Sequence, residues 1–574
     1  MLGLLGTING IICDCHSHLL NVNECSMGVH EVDMTIRLHT INKFVEDKVF
    51  FQDDKYVIVL DGVVFNKTKI QNNHSWLNTL INFYEKQGKC WFRDLRGSFS
   101  GLFCDKKEQK LYLFVDHISD KPIFYYQSNK SFYFASEQIS LANLLRENKV
   151  SYHLNTKAAY TMLTYGGLLE DMSYIDGAHK LMPGSYLVYD LQTRSVQVEF
   201  YHNFKYNPNK AQTREYALQQ MHALFMQSIK QQLEKNSEYG YVDFSALSAG
   251  LDSRLTTCSI ADYTDDFVTF TYAPIGQYDQ VSSLEIAKLL KPSTTIFQSS
   301  NNGGLLLDVD NVVRINDGLF TYYGTSVLLD YFRRINTQDI GIIHSGQLGD
   351  AVFGALIQDL NYANISINKM NVFSSHFIDK LSNVGLNIKE LTEKYNDIEM
   401  FSLYNRGMGG VIYGANKAFQ SFAETFSPFY DVDLWDYCLT IPREWRIKHR
   451  LYDEYFLKYH KKYAFIPHNR YRIIGREIYN NFNEFIQKVL KKIRKYVGCY
   501  HNQENVTPLQ DWMKVPSVET YLNNYFESNI SCVNGVSEEL KKDMEYLYIN
   551  GNELEKNMTL TLLSVIKQIF PINV

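Results

Sequence analysis

The chain has no excess of positive charge, no CxxC pair and no long apolar run. Its 57 lysines and arginines are outnumbered by 63 aspartates and glutamates, so a nucleic acid is not the expected partner. The nine cysteines include no CxxC pair, which indicates reduced thiols and a cytoplasmic location. No stretch reaches the ~20 apolar residues that span a membrane. These absences favour a cytoplasmic protein that acts on small molecules, and they leave a homo-oligomer open.

The composition indicates a fully globular chain with two large domains. The 574 residues are 45% hydrophobic and 14% aromatic, which is ample for buried cores. Residues 1–205 contain short alternating runs, such as Tyr56–Leu60 and Leu111–Val115, separated by turn residues. They predict an antiparallel-sheet domain. Met1–Gly6 lacks a basic segment and is expected to be its first strand.

A second domain is predicted over residues 212–574, after a polar, irregular segment. An apolar stripe at helical spacing runs from Glu215 to Lys235, and the apolar runs Tyr241–Leu247 and Phe267–Tyr272 follow. Alternating helices and strands of this kind imply a parallel sheet. Beyond Asp359 the chain is expected to be almost entirely helical. A basic stretch at 488–495 is interpreted as a solvated helix face.

Two loops of small residues, each carrying one acid, follow predicted parallel strands. The first is Ser248–Ser253 (SAGLDS), and the second, His344–Gly354, contains Asp350. Small residues between a strand and a helix expose N–H groups to an anion, as in phosphate sites. Because the carboxyl ends of parallel strands meet at one crevice, Asp252 and Asp350 are predicted to share a magnesium ion. An ordinary turn remains the alternative for either loop alone.

With these loops, the chain resembles the asparagine synthetase family. Ser248–Ser253 resembles the family's SGGxDS motif, and Ser345–Ala351 keeps part of its SGEGxDE motif. Leu95–Phe99 and Lys121–Tyr126 resemble segments of the family's amino-terminal domain, and Ser427–Asp431 resembles its VPFLD segment. The resemblance implies an amino-terminal Ntn-hydrolase-like glutaminase domain and an ATP-pyrophosphatase (PP-loop) domain. In that family, ATP adenylates a carboxylate, and an amine then displaces AMP.

The same resemblance implies roles for individual residues. Leu247 and Tyr272 would flank the adenosine, while Ser345 and Gly346 would contact the nucleotide. The pyrophosphate and magnesium would be held by four residues of the first loop, Ser248, Gly250, Asp252 and Ser253. Asp350 would complete the metal site.

Several family positions have changed. Leu2 stands where the family has its nucleophilic cysteine, and Val63 replaces a glutamine-contacting glutamate. Because leucine cannot form a thioester, the usual glutamine hydrolysis is not expected. Cys13 or Cys15 could replace the nucleophile only after processing exposed one of them as the chain terminus. These losses resemble relatives that abandon glutamine, such as β-lactam synthetases and lasso-peptide cyclases.

The synthetase motifs have changed as well. Gln347 replaces a glutamate used with the substrate, Ala351 replaces a second acid, and Glu454 stands where a catalytic lysine is expected. Lys448 or Lys458 is predicted to supply that cation from nearby.

The leading hypothesis is an ATP-dependent, AMP-forming amide ligase that joins a carboxylate to an amine without hydrolysing glutamine. The amino-terminal domain would then be structural. The alternatives are asparagine synthesis from glutamine or ammonia, and a nucleotide-binding pseudoenzyme or scaffold.

Overall fold

A computed structural model describes residues 3–12, 22–29, 33–71, 74–299, 303–354, 356–357, 372–395, 397–466 and 508–571. Leu2, Cys13, Cys15 and the basic stretch 488–495 lie outside these residues. The predictions made for them therefore stay predictions.

Two six-stranded antiparallel sheets form the amino-terminal part. In the first sheet the strands run in the order β10-β8-β9-β1-β3-β2, and in the second β12-β11-β7-β6-β5-β4. The strands are β1 Gly3–Ile8, β2 Val22–Val29, β3 Met34–Ile41, β4 Val49–Gln52, β5 Tyr56–Val64, β6 Gly97–Asp105, β7 Lys110–Val115, β8 Phe124–Gln127, β9 Phe132–Ala135, β10 Ala178–Lys180, β11 Ser185–Asp190 and β12 Val196–Phe200.

The sheets pack face to face, with helices outside. Successive side chains of a strand point to opposite faces. Val57 and Val59 of β5 therefore enter the core between the sheets, while Ile58 and Leu60 pack under Trp76 on the outer face. The helices of this part are α1 Lys67–Gln71, α2 Trp76–Gln87, α3 Gln138–Glu147 and α4 Thr156–Tyr165.

A five-stranded parallel sheet with the order β15-β14-β13-β16-β17 organises the rest. Its strands are β13 Val242–Ala246, β14 Phe267–Tyr272, β15 Thr294–Gln298, β16 Ile340–His344 and β17 Glu424–Phe426. Among the described residues beyond Asp359, which are mostly helical as predicted, β17 is a strand that the sequence did not predict. Three residues are too short to produce an alternating pattern, and the strand forms by pairing with β16.

The helices of this second part precede, connect and follow the strands. They are α5 Arg214–Tyr239, α6 Leu251–Ala261, α7 Tyr278–Leu290, α8 Val309–Asn316, α9 Tyr322–Phe332, α10 Gly349–Val352, α11 Ile378–Asn383, α12 Ile388–Tyr395, α13 Ile398–Ser402, α14 Ile412–Gln420, α15 Val432–Cys438, α16 Arg443–Arg446, α17 Arg450–Tyr459, α18 Leu509–Met513, α19 Pro516–Asn529, α20 Glu538–Asn550 and α21 Glu553–Ile569. A π-helix, Leu403–Val411, leads into α14.

The predicted fold class is confirmed: antiparallel sheets come first, followed by a parallel sheet with a helical carboxyl-terminal part. The predicted boundary between residues 205 and 212 falls between β12 and α5 and stays a prediction. The six cysteines within the described ranges are free. None of the helices described here is long and apolar enough to cross a membrane.

Candidate active site

The first loop connects β13 to α6, and the hydroxyls of the two serines at its ends hold those ends together. Ser253 Oγ accepts a hydrogen bond from the backbone N–H of Ser248 at 3.0 Å, and the two hydroxyl oxygens lie 2.7 Å apart. The N-cap of α6 is Gly250, which brings no side chain to the first turn. The N-terminal N–H groups of the helix and the positive end of its dipole therefore stay available to an anion.

Asp252 lies in the first turn of α6, and both of its carboxylate oxygens accept hydrogen bonds. Oδ1 accepts from the hydroxyl of Tyr452 at 2.8 Å, and Oδ2 accepts from the backbone N–H of Asp350 at 2.9 Å. Burial, followed by the negative charge of Asp350, raises the pKa of Asp252 well above its usual range. Asp252 is half-buried and Asp350 is exposed, so the arrangement brings two acidic side chains together, and a bound cation would offset their charge.

The second loop follows β16, the neighbour of β13 in the parallel sheet. It approaches the first loop so closely that a Cβ on Gly346 would lie 2.3 Å from the backbone nitrogen of Ser253 and 2.6 Å from the carbonyl carbon of Asp252. Only glycine allows this contact, because backbone atoms cannot move aside cheaply. The glycine kept in the second motif therefore serves to join the two loops.

The two loops line one cavity of about 450 Å³. Every residue predicted to bind nucleotide or metal is part of its wall, namely Leu247, Ser248, Gly250, Asp252, Ser253, Tyr272, Ser345, Gly346 and Asp350. Apolar side chains, including those of Phe270, Leu328 and Phe419, form another part of the wall. The volume and the mixture of apolar wall and few polar groups suit a small organic ligand. The individual roles stay predictions.

Neither predicted lysine is brought to this cavity. Lys448 is exposed, and although its neighbour His449 lines the cavity, Lys448 does not. Lys458 lies on α17 with its Nζ 2.5 Å from Oε1 of Glu215. Glu454, at the position expected for the lysine, pairs instead with Arg214 at 3.0 Å. The prediction that Lys448 or Lys458 replaces the catalytic cation thus has no support in the geometry.

The two acids fit a magnesium ion. No lysine or arginine occurs among the described residues that line the cavity, so their charge is not offset there by the protein. Carboxylate oxygens are the hard ligands that magnesium prefers, and it usually completes its shell with waters and substrate phosphates. The described ranges contain no cluster of three or more His, Cys, Asp or Glu residues that could hold a metal alone.

Sequence reasoning missed the tyrosines that support the site. Tyr452 binds Asp252, and the hydroxyl of Tyr430 donates to Oε1 of Gln347, which also lines the cavity. The resemblance pointed to the segment Ser427–Asp431 but not to this contact. Tyr452 belongs to no motif, so no signal in the sequence could have found it.

Another, much smaller cavity lies beside Gly3, between the amino-terminal part and α14. Its volume is about 20 Å³, and Asp61, Lys121 and Gln420 line it. Asp61 accepts a hydrogen bond from Thr40 at 2.5 Å and lies 3.7 Å from the Nζ of Lys121. This volume holds about one water molecule.

Comparisons with known proteins agree with the order of the two parts. A family model described as a glutamine amidotransferase domain matches residues 37–202, and a model described as asparagine synthase matches residues 220–388.

Curated relatives carry asparagine synthetase names. A Methanocaldococcus jannaschii protein, provisionally named asparagine synthetase [glutamine-hydrolyzing] 2, is 22% identical over 340 residues, which cover 55% of this chain and 63% of the relative. A Bacillus subtilis protein named asparagine synthetase [glutamine-hydrolyzing] 2 is 25% identical over 163 residues, or 26% of this chain and 21% of that protein. The chain thus matches less than two thirds of the length of either relative.

Among solved structures, a Bacillus subtilis glutamine phosphoribosylpyrophosphate amidotransferase overlaps 52% of this chain and 76% of its own, at 8% identity and a TM-score of 0.21. That overlap is too loose to support any conclusion. The two domain models and the asparagine synthetases among the relatives do support one: together they place this chain's resemblance in the asparagine synthetase family.

Proposed function

We propose that this protein is an ATP-dependent, AMP-forming ligase that joins a carboxylate to an amine without hydrolysing glutamine on its own chain. The observation that carries the proposal is the meeting of Asp252 and Asp350, from two different loops, in one cavity beside the N-terminus of α6. A pair of carboxylates next to the N-terminal N–H groups of a helix suits a polyphosphate that carries magnesium.

In the proposed reaction, a substrate carboxylate oxygen attacks the α-phosphorus of ATP, and the bond to pyrophosphate breaks. The amine then attacks the acyl carbon, AMP leaves and the amine loses a proton. Bound magnesium would offset charge on the phosphates. The residues of this chain would hold the pyrophosphate at Ser248, Gly250 and Ser253 and place the adenosine between Leu247 and Tyr272. N–H groups fixed before the reaction need no reorganisation as charge develops.

The absence of glutamine hydrolysis is proposed from two observations. Leucine at position 2 cannot act as a nucleophile, and Val63 stands where the family has a glutamine-contacting glutamate. The amine would then come from the substrate itself or from free ammonia.

Two alternatives each have an observation in their favour. The names of the relatives favour asparagine synthesis. The lack of a lysine or arginine among the described cavity residues favours a nucleotide-binding pseudoenzyme, because the family's cation has no evident substitute.

Pyrophosphate release and ATP binding separate these possibilities. We expect ATP to bind in the presence of magnesium and this binding to weaken at least tenfold in Asp350→Asn. The control Asp433→Asn removes a half-exposed carboxylate that pairs with Arg96 instead and should leave ATP binding unchanged. Pyrophosphate release with a panel of acids, beginning with L-aspartate, would support the ligase. ATP binding without release for any acid would favour the pseudoenzyme, and glutamine hydrolysis with asparagine as product would favour the synthetase.

A further inference from the structure

A buried chain of hydrogen bonds connects the amino-terminal part with the candidate active site. It begins at Asp120, whose carboxylate accepts hydrogen bonds from the Ser98 hydroxyl at 2.6 Å, from Asn416 Nδ2 at 2.5 Å and from Gln420 Nε2 at 3.0 Å. It continues from Asn416 to the hydroxyl of Tyr430, and from that hydroxyl to Oε1 of Gln347 in the cavity wall.

Asp120 fixes the direction of these hydrogen bonds because its carboxylate oxygens already accept from three side-chain donors. Burial raises the pKa of Asp120 against the opposing effect of the Ser98 and Asn416 hydrogen bonds and of Lys121 and Lys417. Asn416 must therefore turn its NH₂ group toward Asp120. The orientation of an amide side chain is assigned from its hydrogen-bond partners, and here the partner at one end, Asp120, is an acceptor.

The orientation of the Asn416 amide determines the direction of the next hydrogen bond, which ends at Gln347. Nδ2 of Asn416 lies 3.3 Å from the Tyr430 hydroxyl oxygen, closer than Oδ1 at 3.5 Å. The hydroxyl thus accepts from Asn416 and has its own proton to donate, and Oε1 of Gln347 receives it. With Oε1 occupied, Gln347 is left with the two N–H donors of its NH₂ group for the cavity.

The main chain of Gln347 is also held, because its carbonyl oxygen accepts a hydrogen bond from the Ser427 hydroxyl at 2.8 Å. The amide is therefore fixed at both ends before any ligand binds. A donor held in this way favours an acceptor on the ligand and disfavours a second donor, since two facing donors leave both unsatisfied.

We infer that Asp120 acts as a positioning residue for the cavity, and that Gln347 selects an acyl substrate with a hydrogen-bond acceptor, not a free ammonium group, at the position facing its amide. The substrate class is thus a carboxylic acid that presents an acceptor to Gln347, such as an acid whose neighbouring nitrogen is acylated. This inference rests on the proposed function, because it assumes that the cavity holds the acyl substrate.

Two acids that differ only at that nitrogen test the inference. L-aspartate carries an ammonium group and N-acetyl-L-aspartate carries an amide carbonyl, and their dissociation constants can be measured by calorimetry with and without magnesium and a non-hydrolysable ATP analogue. We expect the wild-type protein to bind N-acetyl-L-aspartate at least about tenfold more tightly, the effect of one satisfied against one unsatisfied hydrogen bond.

Three variants address the chain of contacts. Gln347→Glu should reverse the preference, because a carboxylate attracts the ammonium group. Tyr430→Phe and Asp120→Asn should each reduce the ratio of the two constants at least about threefold, since either change frees the amide of Gln347 to turn. Asp317→Asn is the matched control. It removes a buried carboxylate that accepts from the backbone N–H groups of Gln138 and Ile139, and it should leave the ratio unchanged.

The outcomes are separable. Three results would overturn the inference. They are equal or tighter binding of L-aspartate by the wild-type protein, no binding of either acid, and an unchanged ratio of the two constants in folded Asp120→Asn. If Asp120→Asn does not fold, Tyr430→Phe decides, because it deletes a single hydroxyl. Failure of ATP to bind while the acid preference holds would count against the proposed function alone.

Discussion

The backbone N–H of Asp350 donates a hydrogen bond to the Asp252 carboxylate at 2.9 Å, so the second acidic loop is bonded directly to the first. Asp252 is at the same time desolvated, and its pKa is raised mainly by burial and then by the charge of Asp350. In the protein without ligand, the desolvated carboxylate of Asp252 therefore lowers the free energy of unfolding.

Asp252→Asn should separate stability from ligand binding. The folded protein holds a proton on Asp252 more tightly than the unfolded chain does, so this group stabilises fully below the unfolded pKa of about 3.9 and its contribution is lost as pH rises toward the folded pKa. Asparagine does not titrate. We expect the variant to become more stable relative to the wild type between pH 4 and pH 8 in urea unfolding, and to lose magnesium-dependent ATP binding. A pH-independent difference between the two proteins would contradict this explanation.

Gly346→Ala should disrupt the contact between the two loops. Its Cβ would meet the backbone of Ser253 and Asp252 at 2.3 and 2.6 Å, and overpacking of this kind costs about 1–3 kcal/mol. We expect ATP affinity to fall at least tenfold, measured by calorimetry. Gly324→Ala is the control because a Cβ there meets nothing within 4 Å. In helix α9 it should stabilise by about 0.5–1 kcal/mol without affecting ATP. Similar losses in both variants would show that the loop contact is not the cause.

Lys458→Ala should leave pyrophosphate release within about twofold of the wild type. Its Nζ pairs with Glu215 at the surface, and Lys458 does not line the cavity; exposed pairs of this kind contribute little. The same substitution at Lys448, next to His449 of the cavity wall, provides the comparison. A large loss confined to Lys458→Ala would mean that α17 moves during the reaction.

The placement of Lys458 also illustrates which parts of the site could be predicted. The two acidic loops could be, because each follows a strand and the carboxyl ends of parallel strands meet in one crevice. Lys458 was chosen for its place in a sequence pattern, but the angular position of each residue around α17 determines which side chains point inward. Tyr452, Tyr455 and Phe456 recur at the spacing of one face and are buried, while Lys458 follows Tyr452 by six residues and lies on another face.

The link between the amino-terminal part and the site could not be predicted in the same way. Asp120 and Asn416 are far apart in sequence, and neither belongs to a motif of known spacing. Their contact depends on how helix α14 packs against the first domain, which no local pattern records. The three-residue strand β17 was missed for a similar reason, since it exists through its pairing with β16.

Lys121→Met should destabilise both parts of the protein together. The Nζ of Lys121 lies 3.0 Å from Glu424 on β17 and 3.7 Å from Asp61 on β5, and Lys48 is the other lysine near both acids. Opposite charges raise the pKa of Lys121 despite its burial. Removing one partner of a buried ion pair costs about 3–5 kcal/mol, and we expect a loss of that size in the free energy of unfolding.

The loss in Lys121→Met should be smaller at pH 5 than at pH 8, because Lys121 is the strongest of the charges that lower the pKa of the buried Asp61, and without it Asp61 takes up a proton more readily. Urea unfolding followed by tryptophan fluorescence measures both values. Lys89→Met is the matched control, since Lys89 pairs with Glu199 at 2.5 Å while its side chain is half exposed, and it should lose at most about 1 kcal/mol. Equal losses in the two variants would mean that the buried cluster does not couple the antiparallel sheets to the parallel one.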